Sequence, residues 1–176
     1  DLTVTLTARV ERTATPPQLD LSPPLDALPA QVAEAAATGA QSPHHFLGRS
    51  ERVQPLPPMT AYARKAIKDA QTRPDTTLSA VQAIGRALHR DMRFDADATD
   101  VNTAPLDAFE ARHGVCQDFS HVMIACLRGL GIPAAYVSGY LRTLPPEGMP
   151  RLEGADAMHA WVGAWCGREM GWIGFD

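Results

Sequence analysis

Apolar residues recur with different periods along the 176-residue chain, and the changes of period mark its organisation. Over residues 1–12, Leu2, Val4, Leu6, Ala8 and Val10 alternate with polar neighbours, the pattern of a half-buried strand. A lone terminal strand needs a sheet to join. Periodicity then lapses over residues 13–58, which read as a proline-rich connecting arm with a short helical stretch over 26–38. Leu19, Leu21, Leu25, Leu28, Phe46 and Leu47 predict that the arm lies against a core. From residue 59 the period turns helical. Met59, Ala63, Ala66 and Ala70 give one amphipathic segment; Leu78, Val81, Ile84, Leu88 and Met92 give a second, with Asp75 or Thr76 as its cap. An aspartate-rich loop over 94–103 leads to a short helix over 105–112, which Gly114 is expected to break.

The next helix carries Phe119, Val122, Met123, Cys126, Leu127 and Leu130 at the spacings of one buried face. Gly131 suits the position just past its end, and Pro133 prevents continuation. Three strands follow, near 133–142, 157–166 and 171–176. In the middle one, His159 shares a face with Trp161, Gly163 and Trp165, while Met158, Ala160, Val162 and Ala164 take the other.

Cys116 stands at the head of the cysteine helix, three residues before its buried face begins. A helix N-terminus carries about half a positive charge and unpaired N–H groups, which favour a thiolate. That matters because a free thiol, titrating near about 8.5, is only a few per cent ionised at neutral pH. Asp118 in the first turn opposes this effect unless its side chain is turned away to cap the helix. A structural cysteine would need neither the helix start nor Gly114 before it. If the last two strands form a hairpin turning near residue 168, Asp176 falls roughly opposite residues 159–161, where diagonal side chains are ~7–8 Å apart and within reach of each other. Cys116 as nucleophile, His159 as base and Asp176 as its orienter is the order a thiol-dependent acyl transfer would use.

These segments resemble the transglutaminase-like superfamily in its bacterial branch. The resemblance rests on Gly114-Val115-Cys116-Gln117-Asp118-Phe119, Gly131-Ile132-Pro133-Ala134 with Tyr136-Val137-Ser138-Gly139-Tyr140, His159-Ala160-Trp161-Val162, and Gly171-Trp172-Ile173-Gly174-Phe175-Asp176. It implies an α+β fold of papain-like arrangement, with the nucleophile helix packed on an antiparallel sheet, over a catalytic core at 59–176 that is shortened at its C-terminus. By the same resemblance, residues 1–12 are the remnant of an N-terminal β domain. The activity implied is that of a cysteine peptidase or amidase working through a thioester. A glutamine cross-linking transferase uses the same three residues, and a non-catalytic peptide-binding module would keep the fold.

Composition narrows the partners. A net charge of −4 and a pI near 5.8 give no electrostatic reason to expect nucleic acid or an anionic membrane, and the resemblance implies a peptide or protein substrate. Three cysteines cannot all pair internally, and free thiols suggest a cytoplasmic setting. No cofactor or metal is expected. Cys126 and Cys166 read as core. His113 and His121 lack zinc-ligand spacing, His44 and His45 read as solvated, and Asp95, Asp97 and Asp100 lack the glycine and glutamate of a calcium loop. Gln117 is a possible donor to the oxyanion, beside the backbone N–H of Cys116.

Overall fold

A computed structural model of the chain describes residues 19–141 apart from 96, 98 and 101, residues 157–176, and the isolated positions 3, 10, 11 and 13. The strand expected over 1–12 therefore lies outside the described residues. The elements in order are α1 (Leu28–Glu34), a 3-10 turn (Pro43–Phe46), α2 (Pro57–Lys68), α3 (Thr77–Asp91), β1 (Arg93–Phe94), α4 (Pro105–Ala111), β2 (His113–Gly114), α5 (Cys116–Gly129), β3 (Ala134–Leu141), β4 (Ala157–Trp165) and β5 (Trp172–Phe175). The class is α+β, with α5 as the central helix. It packs against α2, α3 and α4, and against the antiparallel sheet β3-β4-β5.

Each helix boundary has a chemical cause. α2 begins two residues earlier than the apolar period suggests, because Pro57 and Pro58 occupy its first positions, where the missing N–H costs nothing. At α3, Thr76 Oγ1 accepts from the Ser79 N–H and Ser79 Oγ accepts from the Thr76 N–H, a reciprocal cap. Val81, Ile84, Leu88 and Met92 of its expected stripe are buried. α4 ends not at Gly114 but at Arg112, which takes the left-handed conformation with φ 60°. Its guanidinium rests 4.2 Å over the Phe109 ring and 5.2 Å over that of Tyr62. α5 closes with Gly131 at φ 78°, the Gly131 and Ile132 N–H groups donating to the carbonyls of Arg128 and Leu127.

The arm is fastened to this core at several points. Leu28, Val32 and Val53 are buried in it. Thr77 donates through both its N–H and its hydroxyl to the Pro23 carbonyl, and Arg168 donates from its backbone to Gln31 and from its side chain to Glu34. The Trp172 indole N–H donates to the Gln41 carbonyl, and its ring meets Phe46 edge-on. Leu19 and Leu21, expected against the core, are exposed instead. No helix among the described residues is long and apolar enough to cross a membrane.

Candidate active site

The candidate residues lie on two parts of the fold, Cys116 at the head of α5 and His159 and Asp176 at the sheet. Cys116 is the first residue of α5 and is partly exposed. Its N–H belongs to the first turn and has no partner within the helix, as the geometry of any α-helix dictates. Asp118 does turn away from the thiol. Its Oδ2 accepts from the Val115 N–H at 2.8 Å and from the Thr99 hydroxyl at 2.6 Å, and the residue is 1% exposed. The carboxylate thus reaches back over the helix start and ties it to the loop before α4.

Gly114 is a glycine for this reason. A Cβ at that position would lie 2.6 Å from Asp118 Oδ2 and 2.7 Å from Asp118 Cβ. Gly114→Ala should therefore displace the carboxylate and destabilise the fold by about 1–3 kcal/mol, the range for an overfilled core site. Chemical unfolding measures that loss, and slower alkylation of Cys116 should accompany it.

Three antiparallel strands position His159 and Asp176. The pairings His159 with Gly139 and Val162 with Phe175 fix the register. The β4–β5 connection turns through Gly167 and Gly171, both at positive φ (92° and 63°). With that register, His159 Nε2 lies 2.8 Å from both Oδ1 and Oδ2 of Asp176. An ionised carboxylate only accepts, so Nε2 carries a proton, and in the neutral ring the lone pair is on Nδ1. The imidazole side chain is 18% exposed and the carboxylate 64%. Among the described residues no hydrogen bond joins the Cys116 sulfur to the imidazole.

Trp161 steadies the histidine, its ring stacked at 27° and 6.1 Å from that of His159. Gly139 makes room for the indole: a Cβ there would come 2.6 Å from Trp161 Cη2. Gly139→Ala should tilt the indole and with it the imidazole. Turnover of an amide substrate is expected to fall roughly tenfold or more, since small misplacements of a reacting group are costly. The far-UV spectrum should stay unchanged.

The remaining candidates fall outside the chemistry. Cys126 and Cys166 are fully buried, and burial pushes both thiols up to about 12. Trp165 is core. Asp95 pairs with Arg93, and Asp95 and Asp100 cap local turns. His44 bonds the Ser42 hydroxyl at 2.8 Å. Among the described residues no group of three His, Cys, Asp or Glu could hold a metal ion. Gln117 lines a cavity beside Cys116.

His121, absent from the apolar stripe of α5, is buried with its ring 5.1 Å from that of Tyr136. Burial holds its pKa below the usual histidine value, the Asp118 charge raises it, and Arg52 lowers it again. The unfolded chain therefore takes up this proton at higher pH than the fold does. Stability from this group should fall as the pH drops from about 6.5 toward the lower folded value. Urea unfolding between pH 7 and pH 5 should show that loss, and His121→Gln should flatten it.

The fold agrees with the comparisons. The family model for the transglutaminase-like superfamily matches residues 63–176, and the chain belongs to that superfamily. An uncharacterized protein of Mycobacterium tuberculosis is 44% identical over 92 residues, 51% of this chain and 29% of its own. One of Mycobacterium leprae is 39% identical over 98 residues, 55% of this chain and 33% of its own. The chain thus matches about a third of the length of these curated relatives. A candidate cysteine protease from Cytophaga hutchinsonii superposes with a TM-score of 0.62 at 28% identity, covering 79% of this chain and 43% of that one. The periplasmic domain of TgpA from Pseudomonas aeruginosa, bound to ethylmercury, gives 0.52 at 24% identity over 78% and 49%, a likeness of fold.

Proposed function

We propose that this domain cleaves amide or peptide bonds through a thioester on Cys116. The observation that carries the reading is the His159–Asp176 hydrogen bond, which favours the neutral-ring tautomer with its lone pair on Nδ1 and so supports Nδ1 as the base. The Cytophaga relative of the same fold supports a proteolytic reaction over other acyl transfers.

In the proposed cycle, substrate draws the Cys116 thiol and the imidazole together, as catalytic hydrogen bonds often tighten only when substrate binds. Nδ1 takes the thiol proton, and the sulfur attacks the carbonyl carbon. The first N–H of α5 faces the developing oxyanion. The C–N bond breaks, and the amine leaves with the proton from the imidazolium. Water then attacks the thioester and gives its proton to Nδ1. The free acid departs, and the thiol is restored.

Incubation with a glutamine-containing peptide and excess labelled primary amine tests the outcome by mass spectrometry. Free acid or cleaved peptide with little labelled amide is expected. Predominant labelled amide at millimolar amine would replace hydrolysis with transfer.

A further inference from the structure

The loop before α4 is fastened to the chain on both sides of Cys116. At and just past the parallel pair β1–β2, the Arg93 N–H donates to the Arg112 carbonyl at 2.9 Å and the Asp95 N–H to the Gly114 carbonyl at 3.0 Å. Further along the loop, the Thr99 hydroxyl donates to Asp118 Oδ2 at 2.6 Å, the length of a hydroxyl on a carboxylate. Gly114 stands two residues before Cys116 and Asp118 two residues after it. The thiol is thus carried on a stretch of chain whose two ends are held by one loop.

An acid is a costly residue for that tie. Asp118 is 1% exposed, its Oδ2 takes both donors, from Val115 and Thr99, and its Oδ1 is buried with no hydrogen-bond partner. Both donors are neutral, so the negative charge is oriented and not cancelled. Capping a helix start needs only an acceptor, and an uncharged one would be buried at smaller cost. The charge itself therefore calls for a role. Its field extends past the cap. Burial lowers the pKa of His121, while Asp118 raises it and Arg52 lowers it. Burial raises the pKa of Tyr136, and the charges of Cys116 and Asp118 each raise it further. One hydroxyl on β3 thus lies within reach of both the thiolate and the carboxylate. Of the other groups that neighbouring elements bring, Asp95 pairs with Arg93, and Arg112 lies over the Phe109 and Tyr62 rings. His113 keeps a buried Nδ1 without a partner.

We propose that Asp118 and Thr99 are positioning residues for the thiol reaction: the carboxylate sets how much of Cys116 stands as thiolate, and the Thr99 hydroxyl keeps that influence small. This role rests on the reading of Cys116 as the nucleophile. A negative charge at the head of α5 offsets part of the positive end of the helix and disfavours a second negative charge there. The hydroxyl acts on this in two ways. Its hydrogen bond disperses the carboxylate charge, and it holds Oδ2 in place on the Val115 N–H. Without it, a carboxylate with an idle buried oxygen is left with one donor and its full charge. The thiol then ionises less readily. Both residues act through Cys116, not on the substrate.

Iodoacetamide alkylation of Cys116 in the full chain, followed by mass spectrometry at pH 6 and at pH 9, tests the pair. The ratio of the two rates reports the thiolate fraction, whereas a change of access to the sulfur scales both rates alike. Thr99→Val keeps the shape and removes the donor. It is expected to lower the ratio of the pH 6 rate to the pH 9 rate about threefold. Thr99→Ser should restore it. Asp118→Asn removes the charge and is expected to raise the ratio about threefold. The double variant should match Asp118→Asn alone, because Thr99 acts through the carboxylate. Melting temperatures show which variants fold, and the two Thr99 variants decide the outcome if Asp118→Asn does not.

An unchanged ratio in Thr99→Val, a ratio that moves the same way in Thr99→Val and Asp118→Asn, or a Thr99→Val effect that persists in the double variant overturns the assignment. So does a Thr99→Ser chain that behaves like Thr99→Val. A Cys116 that alkylates fast with the ratio unmoved refutes the pair and leaves the thiol chemistry standing. A Cys116 no faster than Cys126 and Cys166 refutes the thiol chemistry itself.

Discussion

Cys116→Ala should abolish amide turnover, lowering kcat on the order of 10⁴- to 10⁶-fold, the scale on which loss of a nucleophile removes catalysis in proteases of the triad type. Cys116→Ser should do nearly as badly. A serine hydroxyl is far less acidic than a thiol, and a site arranged around a sulfur does not bring the smaller oxygen to the same place. Neither change should unfold the domain. The Cys116 side chain is partly exposed and forms no hydrogen bond with the described residues, so its removal opens no buried cavity and strands no partner. A stability change within about 0.5 kcal/mol is expected. The pairing of lost activity with kept stability is the signature, read by turnover and urea unfolding on the same preparation.

Asp176→Asn should lower kcat by about 10²- to 10⁴-fold with little change in KM. The carboxylate only accepts, and both its oxygens are 2.8 Å from His159 Nε2. An asparagine can turn its NH₂ toward the ring and donate to Nε2, which places the proton on Nδ1 and removes the base. The carboxylate is 64% exposed, so in the proposed cycle its part is to select the tautomer rather than to hold a strong ion pair. Asp176→Glu, which still only accepts, should recover part of the loss. Titration of the His159 ring by NMR distinguishes the two tautomers directly.

Much of this was legible because local chemistry and tertiary demand agree. The apolar stripe of α3, the Thr76 cap and the Gly131 stop are short-range signals, and all three hold in the fold. The three final strands were readable from alternation, and their register follows from a turn with two glycines at positive φ. β1 and β2 were not readable. Two residues each, paired in parallel, leave no period to detect, and Phe94 stays exposed in the pair.

α5 was read as an amphipathic helix with one buried face, yet Asp118, Ser120, His121 and Ile124 are buried too. A helix surrounded by other helices and a sheet buries polar side chains wherever partners exist, and periodicity alone does not reveal those partners. Gly114 illustrates the same limit. Its sequence role as a breaker was plausible, but the position is glycine because a carboxylate four residues on occupies the space of its Cβ. At the site, Cys116, His159 and Asp176 stood out by residue type and order. Trp161 as the support of the imidazole, and the Thr99 tie to Asp118, depend on strands and a loop that only the fold brings together.

The most direct measurement is the rate of iodoacetamide alkylation at each of the three cysteines between pH 6 and pH 7, followed by mass spectrometry on the native protein and on His159→Ala. The account predicts that Cys116 reacts at least about 100-fold faster than Cys126 and Cys166, whose buried thiols stay protonated, and that His159→Ala removes most of the Cys116 advantage. Equal rates at the three thiols, or a Cys116 rate indifferent to His159, would contradict it.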